Sequence, residues 1–233
     1  MSELFSIQLQ NRQQQGRDGI WLDLPTTTEQ VQAALRQIGI SSDNPQGLFI
    51  SGYFAEEEKR FAIPYNMVLA SNVDELNFLA SRLETLSTGE RAELNAALQA
   101  PQSELFSIGR ITDFPENVEY YVYLPDVRGP AQLGDYYLNR SGMVDMPEEW
   151  KGGIDTAQFG RYVTQQEQGA FTQYGYLVKS GDEWQKVHEG QPVPEEYRVL
   201  SFPAPEVLRD AANIPPPVQP ETEPQKVIPI ILN

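Results

Sequence analysis

The sequence supplies few side chains that could do covalent or redox chemistry. It holds one histidine, His188, no cysteine, and 33 aspartates and glutamates. The lack of cysteine excludes thiol nucleophiles, disulfides and thiolate metal sites, and a single histidine excludes a site built from several. The sequence also lacks a GxxxxGK[ST] phosphate loop, a GxGxxG segment after a strand, an HExxH pair and an acidic calcium loop. We therefore predict no metal and no cofactor.

Two catalytic arrangements remain to be weighed. A Ser/His/Asp triad would have to use His188, which lies between Lys186 and Glu189 in a predicted strand, and we interpret it as an ordinary surface histidine. Two carboxylates could serve as the acid and base of a hydrolase, but among 33 acids some pair always has a suitable spacing. Such a hydrolase would need a pocket where carboxylates with shifted pKa converge. The sequence favours a protein that is not an enzyme.

The charge balance points to the kind of partner. Seventeen lysines and arginines against 33 acids give a formal net charge of −16 and a sequence pI near 4.4. Nucleic acids and anionic membranes repel such a chain. No stretch is long and apolar enough to span a membrane, and the N-terminus does not have the pattern of a signal peptide. We expect a cytoplasmic protein that binds neither nucleic acid nor membrane directly.

The negative charge is concentrated in residues 61–150, where 14 acids and five bases give a local net of 5 − 14 = −9. One interpretation is an ordinary solvated surface. The other is an array that a DNA-binding protein accepts in place of phosphates, which lie along duplex DNA at about one charge per 1.7 Å. We take these acids collectively as the candidate partner-binding array: Asp74, Glu75, Glu84, Glu90, Glu93, Glu104, Asp113, Glu116, Glu119, Asp126, Asp135, Asp145, Glu148 and Glu149.

A local concentration of tyrosines overlaps this acidic region. It comprises Tyr120, Tyr121, Tyr123, Tyr136 and Tyr137. Packing of a small core accounts for such a group, and a dimer or partner interface is the alternative because tyrosine is enriched in interfaces.

Hydrophobic spacing predicts a small α/β unit at the N-terminus. Strands are predicted at 4–9, 20–24, 48–50 and 61–63, from alternating or short apolar runs. A helix is predicted after Thr27, which has capping-box spacing to a glutamine, and Gly39 is placed to end it.

The middle of the chain is predicted to be helical. Ser71 with Asp74, and Ser87 with Glu90, have capping-box spacing and open two helices in a hairpin. The first helix has an apolar face and an opposite polar face. The apolar face consists of Val73, Leu76, Leu79, Ala80, Leu83 and Leu86, and the polar face of Asp74, Asn77, Ser81 and Glu84.

The remainder is predicted as a helix, a hairpin and a tail. Asp155 caps a helix that Gly169 ends, and residues 171–179 and 184–188 form the hairpin. Residues 203–233 are rich in proline and are interpreted as extended or disordered. The predicted fold class is α+β, as an elongated chain of small domains: α/β at 1–70, acidic and mainly helical at 71–142, α/β at 143–202, then the tail.

Four segments of the sequence, in order, carry the pattern of one known family. GIWLDLPTTTEQVQAALRQIGI resembles that family's opening, and ASNVDELNFLASRLETLSTGERAELNAALQA resembles its middle helical hairpin. DVRGPAQLGDYYLNRSGMVDMPEEWKGGIDTAQFGRYV resembles its later segment with "L-G-x-Y" and "D-x-x-x-x-G-R", and FTQYGYLV resembles its closing strand. The family is that of the ArdA antirestriction proteins, and the match in pattern and order covers about residues 4–180.

The resemblance implies an elongated homodimer of three-domain subunits whose acidic surface mimics bent B-form DNA. Such proteins occupy the DNA-binding groove of type I restriction-modification enzymes and protect incoming mobile DNA. The 17 bases, the glutamine-rich stretches at 13–15 and 165–168, and the tail depart from that pattern. An acidic adaptor or regulator of a mobile element, binding another basic partner, is the alternative.

Overall fold

A computed structural model describes residues 4–14, 18–56, 60–101 and 103–202. The proline-rich tail at 203–233 lies outside these residues. Helices and strands are both present, which agrees with the α+β class. Residues 1–203 form a single compact unit.

The N-terminal sheet has the antiparallel order β2-β1-β3. Its strands are β1 (Phe5–Asn11), β2 (Ile20–Leu24) and β3 (Leu48–Phe54). Alternate side chains of β1 are buried, which is the period that the sequence predicts. Helix α1 (Thr28–Gln37) covers the sheet, begins at the Thr27 capping box and ends before Gly39, whose φ is +66°. Three of the four strands predicted in this part of the chain, and the helix, are confirmed.

The strand predicted at 61–63 is wrong. Phe61 and Ile63 are buried, but the backbone between them pairs with a side chain instead of another strand. The Ala62 N–H donates to Oδ1 of Asn95 at 2.6 Å, and Nδ2 of Asn95 donates to the Arg60 carbonyl at 3.2 Å. The apolar alternation correctly predicts that Phe61 and Ile63 are buried, but it wrongly predicts that the backbone there bonds to another strand.

Three helices follow: α2 (Tyr65–Leu69), α3 (Val73–Glu84) and α4 (Thr88–Gln99). The predicted apolar face of α3 is buried. Its capping box is formed by Asn72 and Glu75, one residue later than predicted. Asn77, assigned to the polar face, is also buried: its Oδ1 accepts the Thr26 N–H at 2.7 Å, and its Nδ2 donates to the Tyr197 carbonyl at 3.0 Å.

The rest of the unit combines short helices with a second sheet. The helices are α5 (Ile108–Thr112), α6 (Pro130–Asp135), α7 (Glu148–Lys151) and α8 (Thr156–Glu167), and a π-helical turn at Tyr136–Arg140 continues α6. The strands β4 (Tyr121–Leu124), β5 (Ala170–Phe171) and β6 (Tyr176–Lys179) are antiparallel in the order β4-β6-β5. Single 3-10 turns lie at Pro45–Gly47, Phe114–Glu116, Val118–Tyr120 and Glu195–Tyr197.

The predicted hairpin between 171–179 and 184–188 is wrong. Strand β6 pairs instead with β4 and β5. Residues 184–188 are irregular and are held by side chains: the Gln185 N–H donates to Oδ1 of Asn117 at 2.7 Å, and Nδ2 of Asn117 donates to the Gln185 carbonyl at 2.9 Å.

One hydrophobic cluster runs through most of the unit, from Leu4 to Val199, and a smaller one comprises Val127, Leu133 and Tyr176. Described contacts cross the boundaries proposed at residues 70 and 142, since β4 pairs with β6 and the larger cluster includes residues from 1–70 and 71–142. The division into three domains stays a prediction.

Helices α6 and α8 cross with their backbones in contact at two glycines. A methyl group at Gly134 would overlap the Thr156 carbonyl oxygen, and one at Gly160 would overlap the Pro130 carbonyl oxygen. Neither position has a positive φ. The requirement for glycine is therefore close approach and not backbone conformation.

We expect Gly134→Ala to destabilise the protein by about 3 kcal/mol, because the added methyl group forces two helix backbones apart. Urea unfolding followed by circular dichroism measures the change. Gly152→Ala is the matched control, since a Cβ there meets nothing within 4 Å and its φ of −63° suits alanine. Equal stability of the two variants would contradict the close crossing.

Candidate interaction surface

Two of the predicted array carboxylates cap helices. Glu75 accepts the Asn72 N–H at 3.3 Å, and Glu90 accepts the Ser87 N–H at 2.7 Å, each completing a capping box. Hydrogen bonds from the Ser87 side chain and backbone hold the pKa of Glu90 below its usual value. A carboxylate at a helix N-terminus also interacts favourably with the helix dipole.

Two others bind backbone amides far along the chain. Asp113 is completely buried, and its carboxylate accepts the N–H groups of Val187 (3.2 Å), His188 (2.6 Å) and Glu189 (3.1 Å). Oδ1 of Asp74 accepts the N–H groups of residues 199 and 200, both at 2.7 Å. The burial of Asp113 removes it from any surface array, and Asp74 has a structural role.

Four more acids lie in ion pairs. Glu104 accepts a 2.5 Å bond from Lys179 and lies 3.6 Å from Arg110, and the Lys179 hydrogen bond lowers its pKa. Arg82 pairs with Glu116, Arg140 with Asp135 at 2.9 Å, and Lys151 with Glu148 at 2.7 Å. A one-to-one pair of an acid and a base has no net formal charge, so these sites present less negative charge to a partner than unpaired acids do.

Glu93 on α4 is in an unusual environment. Its Oε1 is buried and has no hydrogen-bond partner among the described residues. Burial disfavours the carboxylate form and, with the nearby Glu90, raises the pKa of Glu93 to about 7. This residue carries only part of a charge at neutral pH.

The remaining acids differ in exposure. Glu84 is half-buried and interacts with neighbouring groups of the protein. Glu119, Asp126, Asp145 and Glu149 are exposed, and the described residues provide no hydrogen bond or ion pair to their side chains. We call these four the open carboxylates. Glu119 and Asp126 lie before and after β4, an edge strand of the second sheet. Asp145 precedes α7, and Glu149 lies within it.

The five tyrosines pack into the unit. Tyr121 is buried and the other four are half-buried. Tyr120 contacts Tyr121 and Trp184 edge-on, the Tyr123 hydroxyl donates to the Tyr174 carbonyl at 2.7 Å, and the Tyr137 hydroxyl donates to Glu167 at 2.5 Å. Their use as an interface stays a prediction.

His188 lies outside any strand, half-buried, with its ring edge-on to Phe78 at 4.9 Å between centroids. Within the described residues, no group of three or more histidine, aspartate or glutamate side chains is arranged to hold a metal ion. No helix in the described ranges is long and apolar enough to cross a membrane.

Nothing in the sequence pattern predicts a buried arginine in this region. Arg110 is 7% exposed, and its guanidinium lies 4.7 Å from the Trp184 ring and 5.0 Å from the Phe106 ring. Glu104 and Glu189 lie 3.6 Å from it on either side. A cation stacked between aromatic rings is stabilised without full pairing of its N–H groups.

Comparison with known families decides the relationship. The model for the antirestriction protein ArdA matches residues 15–178, well over half of the chain. The chain belongs to the ArdA family. The resemblance seen in the sequence is confirmed, and with it membership of a family of antirestriction proteins that is not a known enzyme family. A search of curated proteins returned no match.

Within this ArdA chain, the matched range contains the α6–α8 crossing and all 14 acids of the predicted array, but it begins after β1 and ends within β6. The 14 acids of the predicted array differ in how much negative charge they present at the surface. Asp113 is buried, Glu93 is partly protonated at neutral pH, several acids have structural partners, and four open carboxylates remain.

We expect Asp113→Asn to destabilise the protein by about 2 kcal/mol, because the three backbone amides bond to both carboxylate oxygens and asparagine offers only one acceptor oxygen. At least one amide bond is then lost, and the remaining bonds lose their charge assistance. Thermal unfolding measures the loss. Asp126→Asn, an equal change at an exposed residue, should leave stability within about 0.5 kcal/mol of the parent.

The raised pKa of Glu93 predicts a pH-dependent effect of Glu93→Gln. Between the unfolded value of 4.5 and the folded value of about 7, the folded protein holds a proton that the unfolded chain releases. Folding stability contributed by this group therefore falls as pH rises through that window, and above pH 7 the loss is complete. Glutamine removes the loss, so the variant should gain more stability at pH 8 than at pH 5.5.

Urea midpoints of parent and variant at the two pH values test this expectation. Both values lie above the sequence pI near 4.4, which keeps the protein in solution. Glu119→Gln is the control and should show no difference at either pH. A gain of equal size at pH 5.5 and pH 8 would show that Glu93 is ionised normally in the folded protein.

Proposed function

We propose that this ArdA protein is a DNA mimic that inhibits type I restriction-modification enzymes by occupying their DNA-binding groove. It acts in the cytoplasm as a homodimer, without catalysis and without binding nucleic acid itself. The observation that carries the proposal is the family match over residues 15–178.

The charge of the chain supports this proposal. A DNA-binding groove gains affinity for DNA because its lysines and arginines release counterions from phosphates. A protein with a net charge of −16 can engage the same groove through carboxylates. Mimicry also requires that the carboxylates be held against their mutual repulsion, and Glu119 and Asp126 adjoin β4, which pairs with β6 and contains the buried Tyr121.

The division of the array refines the proposal. Acids that already bind backbone amides or basic side chains offer less charge to a partner than unpaired ones do. We infer that the four open carboxylates contribute more to binding than the paired acids do. The other acids near the surface make smaller contributions to the same negative electrostatic potential: Glu84, Glu116, Asp135 and Glu148.

A competition assay tests the function directly. The protein is titrated against a type I restriction-modification enzyme bound to labelled DNA, at two salt concentrations. Displacement near stoichiometric protein, weakening with salt, is the expected result. If several such enzymes retain their DNA, the proposal fails and an adaptor that binds another basic partner takes its place.

We predict that neutralising the four open carboxylates together weakens inhibition about 4- to 1,000-fold, since each exposed charge pair contributes roughly 0.2–1 kcal/mol. The variant is Glu119→Gln, Asp126→Asn, Asp145→Asn and Glu149→Gln. Single changes should have little effect. The inhibition constant in the same assay measures the loss.

The matched control carries the same change in net charge at exposed acids outside the array: Asp18→Asn, Asp43→Asn, Glu183→Gln and Glu196→Gln. It should retain most of the inhibition. A folded array variant that inhibits as well as the parent would refute the mimicry mechanism, and equal losses in both variants would show that only net charge matters.

A further inference from the structure

Two exposed apolar side chains lie close together in sequence, just before α8. Met143 is 76% exposed and Trp150 is 69% exposed, the two highest values among the large apolar side chains that the structure describes. We call residues 143–151, which end with α7, the Trp150 segment. Large apolar side chains that are exposed together often mark a site of contact with another molecule.

The extended part of the segment presents Met143 to solvent together with a carboxylate. Side-chain exposure alternates along it: residues 143, 145 and 147 are exposed, and residues 144 and 146 are half-buried. In extended backbone, residues two apart point to the same side. Met143 and the open carboxylate Asp145 therefore lie side by side on the outer side of the segment.

A second open carboxylate lies next to the indole in α7. Glu149 and Trp150 are both exposed. Lys151, the base of this helix, is held elsewhere, because its Nζ donates to Oε1 of Glu148 at 2.7 Å. The charge of Glu149 is therefore available to a partner that contacts Trp150.

Trp150 differs from the other two tryptophans of the chain. The Trp21 ring contacts Phe54 edge-on, and the half-buried Trp184 ring has the Arg110 guanidinium 4.7 Å from its centroid. No ring or guanidinium of the described residues makes such a contact with Trp150. A cation from another molecule can therefore reach this indole.

The charge of the surroundings favours a cationic partner. The Trp150 segment has three acids and one base, a formal net of 1 − 3 = −2. Extending the count to residues 130–167, from the start of α6 to the end of α8, gives six acids and three bases, a net of 3 − 6 = −3. Indole is the best aromatic partner for a guanidinium or ammonium group. An arginine or lysine side chain is therefore attracted both by the ring and by the carboxylates around it.

A second copy of this chain suits the patch less well. A twofold interface brings the same surface patch of both copies together. The Trp150 segment would then face its own net charge of −2, and the juxtaposition of like charges is unfavourable. A basic partner meets no such repulsion.

We propose that Trp150 is an aromatic anchor that stacks on an arginine or lysine side chain in the DNA-binding groove of the restriction enzyme, with Met143 adding apolar contact at the same surface. Asp145 and Glu149 pair with neighbouring cations of the groove. This inference rests on the proposed function. It adds to mimicry a contact that the phosphates of DNA do not offer, since a phosphate has charge and acceptor oxygens but no aromatic face.

The competition assay with Trp150→Ala tests the anchor. We expect inhibition to weaken at least about 10-fold, as for truncation of an aromatic interface anchor. Trp150→Phe, which keeps a ring with weaker cation–π attraction, should lose less. Phe54→Ala is the matched control at an exposed aromatic residue of the first sheet and should inhibit within about twofold of the parent.

Salt dependence distinguishes the anchor from the charge array. Trp150→Ala changes no formal charge, so the slope of log inhibition constant against log salt should equal that of the parent. The variant that neutralises the four open carboxylates should have a shallower slope. Urea midpoints and sedimentation equilibrium of each variant report folding and the oligomeric state.

The outcomes separate this inference from the function on which it rests. If the parent displaces no DNA, the proposed function fails and the anchor fails with it. If the parent displaces DNA and a folded Trp150→Ala variant does so equally well, the anchor alone is refuted. A change of oligomeric state in Trp150→Ala would assign the patch to a contact between copies, and a slope as shallow as that of the array variant would show a loss of charge complementarity. Either result overturns the proposal.

Discussion

The protein depends on a few buried polar side chains that take the place of a sheet. Residues 180–202 contain no strand, yet their backbone is held against the helical core. Asp113 accepts three of its amide protons, Asp74 two, and Asn117 one. Buried amide N–H groups need hydrogen-bond acceptors, and an ionised carboxylate forms stronger hydrogen bonds with them than a neutral acceptor does. Removal of any of these acceptors would leave unpaired donors inside the unit.

Local rules predicted local structure well. The capping boxes of α1 and α4, the alternation of β1 and the apolar face of α3 all depend on residues within one or two turns of each other. The failures depend on distant residues. The strand expected at 61–63 bonds to a side chain 33 residues later in sequence, and the one expected at 184–188 bonds to Asn117, 68 residues earlier. Apolar periodicity reports burial, and it carries no information about which group accepts the buried amide.

The same limit applies to the candidate site. Composition located the acidic region, and the family match over residues 15–178 agrees with the resemblance that those residues showed. Composition could not separate an acid that stabilises the fold from one available to a partner, because Asp113 and Asp126 differ only in their tertiary surroundings.

The long-range bonds of Asp74 have a consequence for biosynthesis. Its amide partners lie 125 and 126 residues further along the chain. At a translation rate of about 5–20 residues per second, Asp74 is synthesised roughly 6 to 25 s before those partners are. During that interval the nascent chain contains an acidic helix in which the Asp74 carboxylate does not yet have its amide partners. The packing of this helix is completed only near the end of synthesis, so a chain truncated before residue 199 would lack the contact altogether.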